Sequence, residues 1–388
     1  MSKKYTCLFG GGAIRGLAYI GAVKAFEELN IEYDILGGSS VGSIIAAMLA
    51  VGYSADECKD AFLSVNFNLF KDISLGFGQF FAVSKGEVFL DWIRELIERK
   101  FYGENYKKGA NKAVTFSDLE HESVIITTNL SDFKCKEFSK SQTPDYEIAS
   151  AVRISCCMPG LMKPVEYNNM LLVDGDLQKS KPMWKLSDTI NSSKSRIMEL
   201  RLEGNYETND LSGIDYANAV YSCVTAIATD FISELYGQND RYDCITLNTG
   251  EIVVVDFNIN EEKRIELVKS GYNQIMHYFN EILPTKQALI KDCYYKIYSH
   301  CSKIHKNIVK NHILRAKNEL GELFMDLTAC NDCLDKDDLQ QLVNFKDLFM
   351  NNLRYPAVFG TVKLTNQQYI ACLLEQINKN ISCKLSEI

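Results

Sequence analysis

Near its N-terminus, the chain twice runs from a short apolar stretch through a glycine turn into a helix-forming segment. The first occurrence predicts a strand over residues 5–9 and a helix over 17–29, and the second predicts a strand over 34–36 and a helix over 41–51. Strands that alternate with helices pair in parallel, because each helix carries the chain back to the start of the next strand. The sequence therefore predicts an α/β fold with a parallel sheet.

The rest of the chain divides into a mixed part and a helical part. Further strands are predicted at 124–128, 171–173, 196–202, 244–247 and 252–256, together with a helix at 87–99. After Glu261 the pattern is almost entirely helical, and Pro284 indicates a break because proline does not fit a helix interior. Two domains are expected: an α/β domain over residues 1–283 and a C-terminal helical region over residues 284–388.

Composition limits the kind of partner and the compartment. A formal net charge of −8 argues against nucleic acid, since phosphate binding needs a basic surface. The 13 cysteines lack the dense spacing of a disulfide scaffold, and Cys330 and Cys333 have no second pair at metal spacing. This usage predicts reduced thiols, no metal and a cytoplasmic location. The longest apolar run, residues 44–51, is far shorter than the ~20 residues that cross a bilayer.

The segment Gly38-Ser39-Ser40-Val41-Gly42 has the pattern of a nucleophile elbow, a sharp turn from strand to helix. Glycine is needed at positions 38 and 42 because a side chain at either would clash with neighbouring backbone. The helix that follows would direct its positive N-terminal end at a developing oxyanion. The pattern predicts Ser40 as a nucleophile.

A second glycine-rich turn, Gly10-Gly11-Gly12-Ala13-Ile14-Arg15-Gly16, directly follows the first strand. A dinucleotide-binding loop would need a third glycine where Arg15 stands. The alternatives are a plain turn and an oxyanion hole, in which backbone amides bind the charge on an attacked carbonyl. The oxyanion hole is favoured because the loop and the elbow follow successive parallel strands and would lie side by side.

A nucleophilic serine also needs a base. No motif surrounds any of the histidines, which are His121, His277, His300, His305 and His312. Asp174 ends an apolar strand and is followed by Gly175, so it is either the base or a residue that forms a turn.

The glycine loop with Arg15, the elbow around Ser40 and the pair Asp174-Gly175 resemble, in order and spacing, the patatin-like phospholipases. The resemblance covers about residues 5–180 and extends to a segment before the aspartate: residues 150–155, Pro159 and Pro164. It implies a three-layer α/β/α fold with a mostly parallel central sheet. It also implies hydrolysis of lipid acyl esters by a Ser-Asp dyad without histidine, metal or organic cofactor.

The resemblance assigns a role to each matching residue. It implies that Ser40 is the nucleophile, that Asp174 is the base, and that Arg15 orders an oxyanion loop made of Gly10, Gly11 and Gly12. The expected protein is a lipid acyl hydrolase of phospholipase A or lysophospholipase type that forms an acyl-enzyme. Its expected substrate is a membrane phospholipid or lysophospholipid, reached by peripheral contact with the membrane.

Two other functions are open at this stage. Ser40, Asp174 and His277 have the chain order of an α/β-hydrolase triad. The other alternative is a lipid-binding regulatory protein that has kept the fold without turnover. The oligomeric state and any regulation by a ligand or partner are open as well.

Asp176 departs from the family, which usually has glycine or alanine after the aspartate-glycine pair. A carboxylate close to Asp174 would oppose its ionisation by like-charge repulsion, and the alternative is a side chain that points to solvent.

Two segments are candidates for membrane contact. Residues 66–84 carry aromatic side chains that could insert into lipid, and residues 286–317 read as a basic amphipathic helix that could bind anionic lipid. A solvated helix face, paired with the acidic residues that follow, is the alternative for the second segment. Given the net charge of −8, the aromatic loop is expected to matter more.

Overall fold

The protein is seen in a computed structural model that describes residues 3–65, 82–178, 183–204, 242–252, 259–330, 333–353 and 363–387. The internal contacts divide the described residues into two compact units, one up to Met276 and the other from His277 onward. Each unit has its own core, and the predicted catalytic residues all lie in the first.

The elements of the first unit alternate between strands and helices in its N-terminal part. In chain order they are β1 (Lys3–Phe9), α1 (Leu17–Glu28), β2 (Ile31–Ser39), α2 (Val41–Ala50), α3 (Ala55–Ser64), β3 (Ala82–Ser84), α4 (Glu87–Tyr102), β4 (Glu122–Asn129), β5 (Lys134–Ser139), α5 (Ile148–Ser155), β6 (Gly160–Met162), β7 (Val165–Tyr167), β8 (Met170–Asp174), α6 (Asp188–Asn191), β9 (Arg196–Glu203), β10 (Tyr242–Asn248) and α7 (Glu261–His277). In this unit, the strands and helices expected from the sequence are confirmed at the residues that the structure describes. The strand predicted at 252–256 falls largely outside the described residues.

Within the described residues, eight strands form one sheet in the order β10-β9-β1-β2-β4-β8-β7, with β5 also paired to β4. The five strands from β10 to β4 are parallel, which confirms the mostly parallel sheet. The other three strands form an antiparallel edge: β5 and β8 run antiparallel to β4, and β7 runs antiparallel to β8. The sequence did not predict this antiparallel pairing.

Both faces of the sheet are covered, as expected for a three-layer α/β/α fold. Adjacent residues of a strand point to opposite faces. On one face Leu8 packs in a cluster with Met183 and Ile190, and on the other the ring of Phe9 lies 5.4 Å from the ring of Tyr19 in α1. Burial on both faces explains why β1 reads as a continuous apolar run.

The pairing of β1 with β2 brings the two glycine turns together. Phe9 at the end of β1 is the register partner of Gly38 in β2. The loop that follows Phe9 and the elbow that follows Gly38 therefore lie side by side at the carboxyl ends of these two strands, as the sequence predicted.

The second unit is helical. It contains α8 (Leu283–Val309), α9 (Ile313–Ala329), α10 (Lys336–Leu353) and α11 (Lys363–Glu387). Its core is built by buried apolar residues of all four helices, including Ile304, Leu323, Phe345 and Leu374. No helix that the structure describes is both long enough and apolar enough to cross a membrane.

Two local predictions for the helical part differ from the structure. Pro284 does not interrupt the helical path: it lies in the first turn of α8, directly after a π-helical turn at Tyr278–Ile282. Proline is tolerated in a first helical turn, where the missing amide costs little. The basic segment 286–317 is not a single helix, because Asn311 adopts a left-handed conformation (φ 59°) between α8 and α9.

Candidate active site

Ser40 occupies the turn between β2 and α2. Its backbone has φ 51° and ψ −129°, a conformation that residues with a side chain rarely adopt. Such strain persists only where the surroundings enforce it, and it is typical of a nucleophile elbow. The side chain is nearly buried, with 9% of the residue exposed.

The glycines of the elbow are required by close backbone contacts. A Cβ atom at Gly38 would lie 2.2 Å from the carbonyl oxygen of Gly42, and one at Gly42 would lie 1.9 Å from the carbonyl oxygen of Phe9. Both distances are far below van der Waals contact. The elbow therefore packs directly against the end of β1, and only glycine fits at these two positions.

The structure brings Ser40 and Asp174 together. The Ser40 hydroxyl donates a 2.9 Å hydrogen bond to Oδ2 of Asp174, whose residue is 1% exposed. Strand β4 sets this distance: Ser39 pairs with Ile126 of β4 on one side, and Asp174 pairs with Thr127 on the other. Ser40 and Asp174 therefore lie on the two sides of β4, next to adjacent residues of that strand.

Ser155, at the end of α5, holds the backbone of the nucleophile. Its hydroxyl accepts a 2.9 Å hydrogen bond from the amide of Ser40 and donates one of 2.6 Å to the carbonyl of Ile126. Residues 150–155 belong to the segment whose sequence resembles the patatin-like phospholipases, but that resemblance implied no role for Ser155. Its partner Ser40 lies 115 residues away along the chain, so no local pattern could reveal the contact.

The glycine loop is fixed at two of its amides. The amide of Gly10 donates to the carbonyl of Leu200 over 2.9 Å, and the amide of Gly11 donates to Oδ1 of Asp176 over 3.0 Å. The amide of Gly12 makes no hydrogen bond with any residue that the structure describes. Arg15 is buried in the short 3₁₀ turn Ala13–Gly16 that follows, and its amide donates to the carbonyl of Gly12 over 3.2 Å.

Asp176 does not point to solvent. The residue is 7% exposed, its carboxylate accepts the bond from Gly11, and its own amide donates a 2.7 Å hydrogen bond to Oδ1 of Asp174. Both oxygens of Asp174 are thus engaged, one by the nucleophile and one by the amide of Asp176.

A cavity opens beside Ser40 and Asp174. Its other lining residues are mostly apolar: Ala13, Ile14, Val41, Ile44, Phe62, Ser84, Phe89, Cys156, Met158, Leu161 and Met162. Burial, followed by the negative charge of Asp174, raises the pKa of the Cys156 thiol well above its usual range. The cavity therefore offers an apolar wall and a protonated thiol around one serine-carboxylate pair.

Residues 8–183 match the family described as patatin-like phospholipase. These residues form a patatin-like phospholipase domain. The match spans every predicted catalytic residue, and it confirms the resemblance seen in the sequence. The match supports a lipid hydrolase in general terms.

Sequence relatives of the patatin-like domain include viral and fungal proteins. The uncharacterized protein R571 of Acanthamoeba polyphaga mimivirus is 29% identical over 273 residues, which cover 68% of this chain and 90% of R571. Lysophospholipase nte1 of Aspergillus niger is 29% identical over 173 residues, which cover 43% of this chain but only 10% of the fungal protein. The fungal likeness therefore concerns one part of a much larger protein.

Among solved structures, VipD from Legionella pneumophila matches with a TM-score of 0.54 at 15% identity. The match covers 96% of this chain and 91% of VipD. At this identity the likeness concerns the fold alone.

None of the histidines is among the described residues that line the cavity of the patatin-like domain. His277 is well exposed, and its Nδ1 lies 3.3 Å from Glu281 one helical turn on. His300 lies in the helical unit between Glu319 and Asp326, at 2.7 and 2.9 Å. Among the described residues, His300, Glu319 and Glu322 have a spacing compatible with metal ligands, in a part of the chain remote in sequence from the patatin-like domain.

Proposed function

We propose that this protein hydrolyses the carboxylic ester bonds of membrane phospholipids or lysophospholipids with a Ser40–Asp174 dyad. The observation that carries the proposal is the buried 2.9 Å hydrogen bond from the Ser40 hydroxyl to Asp174. A serine is a weak nucleophile by itself, and a carboxylate in hydrogen-bond contact can accept its proton as it attacks.

The reaction begins when Ser40 attacks the ester carbonyl while Asp174 takes its proton. The proton passes to the leaving alcohol, and an acyl-enzyme on Ser40 remains. Water then attacks the acyl-enzyme while Asp174 accepts a proton from that water. The bond between the acyl carbon and Ser40 Oγ breaks, Asp174 returns the proton to Ser40 Oγ, and the fatty acid leaves. The amide of Asp176 and the hydroxyl of Ser155 hold the two reacting groups in place throughout.

The oxyanion forms beside the glycine loop. The amides of Gly10 and Gly11 are already engaged, so the proposal assigns the oxyanion to the amide of Gly12, with the start of α2 nearby. Arg15 orders the loop from the 3₁₀ turn behind it. Amides fixed before the reaction bind the developing charge without reorganisation.

The cavity indicates the acyl side of the substrate. Its apolar lining suits a hydrocarbon chain, because burying methylene groups against Ile44, Phe89 and Leu161 removes them from water. The proposal therefore places the fatty acyl chain in the cavity and the headgroup outside it.

Peripheral contact with the membrane and a cytoplasmic location belong to the same proposal. Residues 66–81, the larger part of the aromatic candidate, lie outside the described residues. The basic candidate is partly neutralised, since Lys296 pairs with Asp292 at 2.8 Å and Lys303 with Glu319 at 3.0 Å. These pairs favour the solvated-face interpretation for that segment.

The deciding experiment measures fatty acid release from phosphatidylcholine and lysophosphatidylcholine vesicles. We expect release by the wild-type protein and its loss, together with loss of fluorophosphonate labelling, in Ser40→Ala. Ser123→Ala, which truncates another buried serine in β4, is the matched control and should remain active. A folded wild type that shows neither fluorophosphonate labelling nor ester hydrolysis would support the lipid-binding alternative instead.

A further inference from the structure

Asp176 connects the glycine loop to the catalytic base. The amide of Gly11 donates to the Asp176 carboxylate over 3.0 Å, and the amide of Asp176 donates to Oδ1 of Asp174 over 2.7 Å. Ser40 donates to the other oxygen of Asp174 over 2.9 Å. A continuous path of three hydrogen bonds thus links the loop, through Asp176, to the nucleophile.

The backbone is shaped to admit this contact. A Cβ atom at Gly11 would lie 2.5 Å from Cγ of Asp176, so any larger residue at position 11 would displace the carboxylate. A Cβ atom at Gly175 would lie 2.1 Å from the carbonyl oxygen of Ile126, so the turn between the two aspartates is equally tight. Gly11 and Gly175 together permit a carboxylate at position 176 to reach the loop.

The two residues of this contact are not among the described residues that line the cavity. Ala13, Ser40 and Asp174, by contrast, do line it. A carboxylate on the cavity side would repel the oxyanion. A carboxylate outside the cavity lining can fix the loop without facing the substrate.

We propose that Asp176 is a positioning residue: it holds the glycine loop at the place where the amide of Gly12 can bind the oxyanion. This inference rests on the proposed hydrolase function. A run of three glycines is conformationally free, and its amides stabilise a transition state only when they are held in position. Asp176 supplies that restraint through the acceptor oxygen that receives the Gly11 amide.

The kinetic test compares Asp176→Ala with Asp176→Asn on p-nitrophenyl butyrate, a soluble ester. The alanine variant should lose about 10- to 100-fold in kcat, the effect expected of a misplaced catalytic group, with KM nearly unchanged. The asparagine variant should keep most of kcat, because its side-chain oxygen accepts the same hydrogen bond. Asp243→Ala is the control, since Asp243 is also buried but lies in β10, which the strand order separates from β8 by four strands.

Amide hydrogen exchange provides a second measurement that does not depend on turnover. Exchange at Gly11 should be faster in Asp176→Ala than in the wild type, and unchanged in Asp176→Asn and Asp243→Ala. The inference is overturned if exchange at Gly11 is unaffected, if Asp176→Ala is as active as the wild type or more active, or if asparagine is as damaging as alanine. A wild type that hydrolyses no ester would instead refute the proposed function, while exchange at Gly11 still reports on the restraint.

Discussion

Ser40 directly follows β2 and Asp174 ends β8, and the two side chains are joined by a 2.9 Å hydrogen bond although these strands run in opposite directions. Strand β4 lies between the two and pairs with both. Its register partners Ser39 and Asp174 are bound at the adjacent residues Ile126 and Thr127. The distance between Ser40 and Asp174 is therefore set by the pairing of the strands in the sheet.

The proposed Ser40–Asp174 dyad and the alternative triad with His277 predict different effects of two substitutions on kcat. Asp174→Asn should lower kcat by about 100-fold or more, because an amide cannot accept the serine proton. His277→Ala should leave kcat unchanged, since this side chain is exposed and interacts with Glu281. Initial rates of vesicle hydrolysis decide between them, and an equal loss in a folded His277→Ala protein would establish the triad.

Ser155 should matter for both stability and rate. Ser155→Ala leaves the buried amide of Ser40 and the carbonyl of Ile126 without their partner, which costs about 1–3 kcal/mol of unfolding free energy. Urea unfolding measures this cost, and Ser123→Ala is the control for truncating a buried serine. An unchanged urea midpoint and an unchanged kcat would contradict the role given to Ser155.

Two glycine substitutions should have opposite effects. Gly42→Ala forces a Cβ atom to within 1.9 Å of the Phe9 carbonyl, and we expect a loss of about 3 kcal/mol or more. Gly321→Ala lies in α9 with nothing within 4 Å of the new atom, so it should stabilise that helix by up to about 1 kcal/mol. Thermal unfolding of the two variants compares them, and a tolerated Gly42→Ala would mean that the elbow is not as tight as described.

Cys156 should resist alkylation although it lines the cavity. Its raised pKa keeps the thiol protonated at pH 8, and each unit of increase lowers the thiolate fraction about tenfold once the pKa exceeds the pH. Iodoacetamide should therefore modify Cys156 at least about tenfold more slowly than the exposed Cys372. Mass spectrometry of the native protein gives both rates. The alkylation rate at Cys156 should rise only at strongly alkaline pH, and a fast reaction at pH 8 would contradict the assigned environment.

Membrane binding should depend on aromatic side chains more than on charge. Vesicle co-sedimentation at low and high salt separates the two, because salt screens the attraction of lysine and arginine for anionic lipid but does not weaken aromatic insertion. We expect binding to survive high salt and to be lost on substitution of Phe77, Phe80 and Phe81. Binding that disappears with salt and survives those substitutions would assign the contact to residues 286–317.

The sequence predicted those parts of the fold that have a strong local signal. Strands β1 and β2 each contain a short apolar run before a glycine turn, and a helix-forming segment follows each turn. This alternation predicted both helices and the parallel pairing of the two strands. Strands β5 and β7 are short and lie on the antiparallel edge, where neither a long apolar run nor a helix-strand alternation marks them. The residues around Asp174 were compatible with a base or with a residue that forms a turn. Only the family resemblance implied that Asp174 is the base.

The contacts inside the site could not be predicted in the same way. Gly11 and Asp176 are 165 residues apart, and nothing near either residue indicates the other. The sequence therefore offered all three glycine amides as oxyanion donors, whereas Gly10 and Gly11 are engaged elsewhere. Which amide faces the substrate depends on tertiary contacts.

The register of β8 against β4 decides whether Asp174 can contact Ser40 at all. If β8 slipped by one residue, Asp174 would move about 3.4 Å along β4 and turn to the opposite face of the sheet. No small adjustment of side chains could restore contact with Ser40 after such a step. Under the proposed function, a newly made chain would thus gain hydrolytic activity only when β8 reaches its final alignment with β4.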